Sequence, residues 1–428
     1  MALTVFIIFG IFLAVGFPIV SSLAVSTIFP TLIKARGATS IDALIRAIFG
    51  GADTIAILAV PLFILAGVLM ARGGISKKIF DIFAYFIGKR TAGMPCAAVA
   101  TCLFYGAISG SGPATAAAVG SMTIPILVNL GYDKDFAATM IATAGSLGVI
   151  IPPSIPFVLY GLATGASVGK LFIAGVIPGL LIGGCLMGYC WYYCHRYGED
   201  KDKISMNYES LKSQGFWRLF KDSFWALLSP LIILGGIYTG LTTPTEAACV
   251  SVFYSLFCSI FIYHTIKFNQ IWELIISSVR SYAPLIFILA IATAFSRVLT
   301  LLRAPQNISK VLAATFNSAN VFLLAVVVLF FILGMVMDTG PAIVIMAPIL
   351  MPTLKVYHIN PIHFGVILVV CLAIGLVTPP FGLNLFVVSP LVDTQVMILG
   401  KKVLPFILVY CLAVSLITLI PALSLCLL

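Results

Sequence analysis

Charge is scarce in this chain. Only 9% of its residues are Asp, Glu, Lys or Arg, against 61% apolar, where soluble domains carry roughly 25% and 45–50%. So few charges cannot cover so hydrophobic a core in water. The solvent is therefore lipid, and the sequence is that of an integral membrane protein. Nor do the 24 basic residues, which give a net charge of +10, gather into a block; they are scattered through loops, which excludes nucleic acid as a partner. Catalytic signatures are missing too. There is no HExxH and no GxSxG, and Gly110-Ser-Gly112 starts like a dinucleotide fingerprint without the βαβ context. His358 and His363 stand five apart, a poor spacing for two ligands on one helix face. Ten cysteines sit mostly in apolar stretches without a CxxC, so no disulfide framework is expected. Neither an enzyme nor a cofactor is expected from such a chain. The first 33 residues lack a basic start and a small-residue cleavage site, and are expected to stay in the mature fold.

What is present is a repeat. Gly112-Pro113-Ala114 recurs as Gly340-Pro341-Ala342, and Gly148-Val-Ile-Ile-Pro152-Pro153 recurs as Gly375-Leu-Val-Thr-Pro379-Pro380. Ala59-Val-Pro61 through Ala66 is echoed by Ala283-Pro284 through Ala290. Gly and Pro break helices, yet here they recur inside segments apolar enough for lipid. Broken helices at matching places in two halves of a membrane protein point to a transporter's binding site.

A crossing helix needs about 20 residues. Residues 2–33 read as two short helices turning at Gly16-Phe-Pro18, matched by 225–242 and 245–265. A third span, 51–71, is matched by 280–302, with the basic stretches Lys34–Arg46 and Lys267–Arg280 expected to lie along the interface. Residues 93–130 and 319–356 each carry a central Gly/Pro break. They read as re-entrant hairpins, which are allowed where the tip is buried in protein or lines a wet cavity, or as ordinary spans with packing glycines; the recurrence favours hairpins. Residues 135–165 and 361–392 are spans interrupted at Pro-Pro. The fold class expected is an all-α membrane protein of two inverted repeats, 1–195 and 223–428, joined by a polar linker at 196–222. Each repeat has about five transmembrane helices, one discontinuous, and one hairpin. Basic residues concentrate on the face holding Arg72, Lys77, Lys78, Lys89, Arg90, Lys134, Lys267, Lys401 and Lys402, which the positive-inside rule makes cytoplasmic. Both termini then face outward.

Proline leaves the carbonyl four residues earlier without its donor. Pro152 and Pro153 free Gly148 and Val149, while Pro379 and Pro380 free Gly375 and Leu376. Such carbonyls are natural ligands for a dehydrated monovalent cation. At the hairpin tips, Ser109-Gly110-Ser111 precedes Pro113 and Asp338-Thr339-Gly340 precedes Pro341, so a helix N-terminus suited to an anion faces inward at each. A cation site beside an anion site is the layout of ion-coupled uptake of an acid. Asp338 is a membrane carboxylate and so a functional candidate, or else a helix cap. Arg297 is placed either to pair with a substrate carboxylate or to snorkel or pair with a neighbouring subunit. Glu246 reads as a helix cap.

Four motifs, Gly106 to Thr115, Gly145 to Ser154, Thr243 to Ala248 and Gly375 to Asn384, together closely resemble the large membrane subunit of TRAP transporters, the tripartite ATP-independent periplasmic family, and most nearly its sialic acid branch. The resemblance spans essentially the whole chain. It implies an elevator-type, sodium-coupled importer of organic acids in a bacterial inner membrane, with N-acetylneuraminate favoured and a C4-dicarboxylate next. It also implies a separate small four-helix membrane subunit and a periplasmic substrate-binding protein as partners. One sodium would then bind at Ser109, Gly145 and Gly148 and a second at Asp338, Thr339, Gly375 and Thr378. Substrate would meet Ser109, Ser111, Ser146 and Ser154. A stand-alone dicarboxylate symporter of the divalent-anion type shares these features. A channel or a non-transporting scaffold is the alternative of another class.

Overall fold

The computed structural model describes residues 1–33 and 39–428. Lys34 and Arg36, expected at the interface, lie outside the described residues. The first half begins with α1 (Ala2–Ala14) and α2 (Ile19–Leu32), separated where Gly16 takes a φ of +94°. Ser40 then caps α3 (Ile41–Ala52), its hydroxyl accepting from the Ala43 amide. After α4 (Ala59–Arg72) and α5 (Ile75–Ile87) come the paired arms α6 (Gly93–Ser109) and α7 (Gly112–Asn129). The helix α8 (Lys134–Gly145) continues as one short turn to Val149, breaks at the prolines, and resumes as α9 (Ile155–Thr164). A 30-residue helix, α10 (Val168–Tyr197), closes this half.

The polar linker is not unstructured. It holds α11 (Lys201–Ser213), started by Asp200, which accepts from the Lys203 amide. The second half repeats the order of the first: α12 (Phe216–Tyr238), α13 (Pro244–Phe257), α14 (Ile271–Leu301), α15 (Ala304–Thr315), the arms α16 (Ala319–Val336) and α17 (Thr339–Val356), the broken pair α18 (Pro361–Gly375) and α19 (Leu383–Val392), then α20 (Val396–Lys402), α21 (Leu404–Leu419) and the short α22 (Ala422–Leu425). Glu246 and Thr243 form a reciprocal capping box at the start of α13. One expectation is corrected. Residues 267–280 do not form a separate interfacial helix, because no glycine or cap halts the chain there. They run straight into the following span as the 31-residue α14, which accommodates Pro284. The connecting helices α5 and α15 also went unforeseen.

Among the described residues, seven helices are long and apolar enough to cross a membrane, or eight if α19 and α20, which meet at 110°, count as one bent span. Large apolar side chains such as Leu3, Phe253 and Leu408 are exposed, as lipid contact requires. The packing is reciprocal between halves: α2 packs on α14 and α13 on α4, while α7 packs on α19 and α17 on α9. Every residue of α18 from Ile362 to Gly375 is buried, as is α8 from Asp135 onward. The two broken helices therefore form the centre of the molecule, and the hairpin arms wrap them.

Candidate functional site

Both hairpin tips open into one cavity of about 740 Å³. Ser109, Gly110 and Ser111 line it from the first tip, and Asp338, Thr339 and Gly340 from the second. Pro113 and Pro341 lie just inside α7 and α17, so two helix N-termini with spare amides face the same space. Val149 and Leu376 reach it from the two breaks, while α4 contributes Gly67 and Ala71 and α14 contributes Ser281 and Pro284. The tips sit against these two scaffold helices with little to spare: a Cβ on Gly67 would lie 3.1 Å from Ser109 Cα.

At the first tip Gly110 adopts a φ of +61°, ending α6. Its carbonyl accepts from the Ile155 amide at 3.3 Å, tying the tip to the resumed helix α9. Three oxygens then converge. Ser109 Oγ lies 2.7 Å from Thr115 Oγ1 and 3.3 Å from the Ser111 carbonyl, and Thr115 Oγ1 is 2.8 Å from that carbonyl. Gly148 closes the group, since a Cβ there would come within 2.7 Å of the Ser111 carbonyl and run into the Thr115 hydroxyl. Neutral oxygens of this kind suit a hard monovalent cation. At the second tip Asp338 caps α17, its Oδ1 accepting from the Thr339 amide at 2.7 Å, yet the residue remains exposed to the cavity. Thr378 lies beyond, buried, with its hydroxyl donating to the Ile374 carbonyl.

The breaks are less bare than the proline count suggests. The Val149 carbonyl accepts from the Ser154 hydroxyl, the Gly375 carbonyl from the Thr378 amide, and the Leu376 carbonyl from the Asn384 amide. Each carbonyl keeps a second lone pair for a ligand, but these are not orphans. Ser146 and Ser154, expected at the substrate, are fully buried and do not line the cavity; Ser146 donates to the Thr143 carbonyl and Ser154 caps α9. Arg297 is not brought to the tips either. It lines a separate cleft with Arg46. Two residues escaped notice as site residues although the motifs contain them, Thr115 and Asn384. Fully buried Asn384 donates from Nδ2 to the Ala142 carbonyl at 2.8 Å, joining the second half's broken helix to the first half's. Its Oδ1 lacks a partner among the described residues. No cluster of three or more His, Cys, Asp or Glu that could hold a metal ion occurs among the described residues.

Residues 6–423 match the family model "Tripartite ATP-independent periplasmic transporter, DctM component". The chain belongs to the DctM family. It is 39% identical over 414 residues to the isethionate TRAP transporter permease protein DctMQ of Oleidesulfovibrio alaskensis, covering 97% of this chain and 64% of that longer one. It is 35% identical to the C4-dicarboxylate TRAP transporter large permease protein DctM of Rhodobacter capsulatus, covering 98% of each. Among solved structures, the YdaH transporter of Alcanivorax borkumensis superposes with a TM-score of 0.61 at 16% identity, over 88% of this chain and 86% of that one. MtrF of Neisseria gonorrhoeae gives 0.64 at 13% identity, over 97% and 94%. These two share the fold. As a DctM member the chain is a multi-pass permease for organic acids and not an enzyme, and a tripartite system implies a small permease and a periplasmic binding protein beside it.

Proposed function

We propose that this chain is the large membrane subunit of a sodium-coupled, binding-protein-dependent importer of small organic acids, working by an elevator motion in a bacterial inner membrane. One observation carries this reading. The cavity between the hairpin tips has a single charged lining residue among those described, and it is the acid Asp338. An anionic substrate about 4 Å from that carboxylate meets a repulsion of roughly 4 kcal/mol at a partly screened dielectric. The N-termini of α7 and α17 return about 1 kcal/mol each, which does not offset it. A cation entering with the acid would offset this repulsion, and the oxygens of Ser109, Ser111 and Thr115, with those of Asp338, Thr339 and Thr378, are the groups to hold one on each side. Gly145, Gly148 and Gly375 let the backbone approach there.

The repeated element order and the reciprocal packing support two inverted repeats, 1–195 and 223–428, whose hairpins and broken helices move together past α4 and α14. With the basic face inside, both termini are periplasmic. The substrate named for the relatives above is isethionate or a C4-dicarboxylate, so a small acid takes precedence over the sialic acid that the family resemblance first favoured. The test is uptake of succinate into vesicles holding this chain, its small subunit and its binding protein. Uptake should rise steeply with an inward sodium gradient and require the binding protein. Uptake indifferent to sodium would overturn the coupling; uptake without binding protein would favour a stand-alone symporter.

A further inference from the structure

Two further clefts extend from the hairpin arms, and both are basic. One, of about 370 Å³, lies along α7 between the ends of α4 and α5, and is lined by Arg72, Ser76, Lys77 and Ser121. The other, of about 1020 Å³, lies along α17 between α3, α9 and the C-terminal part of α14, and is lined by Arg46, Thr293, Ser296, Arg297 and Thr300. The repeat relates them. Setting Ala66 on Ala290 brings Arg72 within one residue of Arg297, and setting Pro113 on Pro341 brings Ser121 within one residue of Pro348, which lines the second cleft. No carboxylate lines either cleft, and none of these four cationic side chains forms an ion pair among the described residues. Arg297 stands four residues inside the end of α14, about 6 Å along the axis. Arg297 is exposed to its cleft, as are Arg46, Arg72 and Lys77 to theirs, and a guanidinium with no carboxylate partner is free to pair with the carboxylate or sulfonate of a ligand.

The clefts differ in their access to the tips. The first shares Val68, Ala71 and Ala118 with the central cavity and is continuous with it. The second shares no lining residue with it. Leu159 and Leu285 line the central cavity beside the second tip, where a Cβ on Gly340 would meet them at 3.3 and 3.4 Å.

We propose that Arg297 and Arg46 form an anion-binding vestibule that takes the carboxylate or sulfonate of a small organic acid before it reaches the hairpin tips, and that Arg72 and Lys77 line the equivalent vestibule through which it leaves. This rests on the organic-acid transporter reading. The structure is then the state open to the exit, its central cavity continuous with the exit cleft and not with the entrance cleft.

The experiment is succinate uptake by the complete three-component system in vesicles of phosphatidylcholine alone. Arg297→Gln and Arg46→Gln should each raise the KM for uptake roughly tenfold, the loss of a focused electrostatic capture, with the maximal rate little changed. Arg297→Lys keeps the charge and should raise it less than about threefold. Arg72→Gln should instead raise the half-saturation for efflux from succinate-loaded vesicles. Unchanged KM in the Arg46/Arg297 double variant would overturn the vestibule while leaving the transporter reading intact. Wild-type vesicles that take up neither succinate nor isethionate would overturn the organic-acid reading itself. Loss of the co-purifying small subunit in Arg297→Gln would assign the arginine to a partner's acid. A KM change appearing only when phosphatidylglycerol is added would assign it to a lipid headgroup. Either of these also overturns the proposal.

Discussion

Gly106 and Gly148 meet backbone to backbone. A Cβ on Gly106 would lie 2.8 Å from Gly148 Cα and 3.2 Å from its amide nitrogen, so the first hairpin arm and the first helix break touch where neither carries a side chain. The second half repeats the contact with Gly334 and Gly375, where a Cβ on Gly334 would lie 3.1 Å from Gly375 Cα. In each half the hairpin arm and the break therefore pack backbone against backbone.

Gly106→Ala is expected to lower stability by about 1–3 kcal/mol, the range for overpacking a tight contact, because the obstacle is backbone and cannot rotate away. Gly184, with open space around its would-be Cβ, is the control, and Gly184→Ala should leave the melting temperature in detergent near that of the parent. Equal melting of the two variants would show that the hairpin and the break are not packed this closely.

Much of this arrangement was legible. Pro113 and Pro341 mark the starts of α7 and α17, Gly110 marks the first tip, and their recurrence pointed to the places where the helices end and resume. What stayed hidden were choices between local and distant partners. A serine beside a break can face a ligand or bond its own helix, and Ser146 and Ser154 do the latter, to Thr143 and Val149. Asn384 spans 242 positions to reach Ala142, a separation no local pattern encodes. Arg297 shares its helix face with Thr293, Ser296 and Thr300, a polar stripe at helical spacing that was there to be read in the sequence but was passed over. The reading of 267–280 as a separate interfacial helix failed for a plainer reason. A basic stretch suggested an interface, yet nothing in it stops a helix.

Thr115 is expected to serve the cation directly. Thr115→Val preserves shape and removes the oxygen 2.7 Å from Ser109 Oγ. The sodium concentration for half-maximal uptake should rise about tenfold, the equivalent of one lost hydrogen-bond-scale contact of about 1.4 kcal/mol, whereas Thr115→Ser should stay close to the parent. The measurement is uptake against sodium at saturating succinate. A valine variant with parental sodium dependence removes Thr115 from the site.

Asn384 joins the two broken helices across the repeat. Asn384→Ala leaves the Ala142 carbonyl without this donor in a buried place, which costs about 1–3 kcal/mol. A fall in melting temperature with sodium affinity retained would mark Asn384 as a structural tie. A fall in sodium affinity without a change in melting would place its free Oδ1 in the cation site instead, so the two readouts must be taken on the same preparation.

Asp338 separates charge from capping. It holds the Thr339 amide at 2.7 Å and so starts α17, and asparagine caps nearly as well as aspartate. Asp338→Asn should therefore reach the membrane at the parental level and melt within a degree or two of it, since a cap retained changes stability by only a few tenths of a kcal/mol. Uptake is another matter. Among the described residues Asp338 is the sole acidic or basic side chain lining the cavity, and neutralising it removes both the attraction for a cation and the repulsion that makes the acid depend on one. Sodium-driven accumulation should fall at least tenfold, the scale of one charge contact of roughly 1.4 kcal/mol or more at partial screening. Asp338→Ala, which loses the cap as well, should lose stability on top of transport. Parental sodium-driven uptake by the asparagine variant would leave Asp338 only its cap, and the cation would have to be sought at the first tip alone.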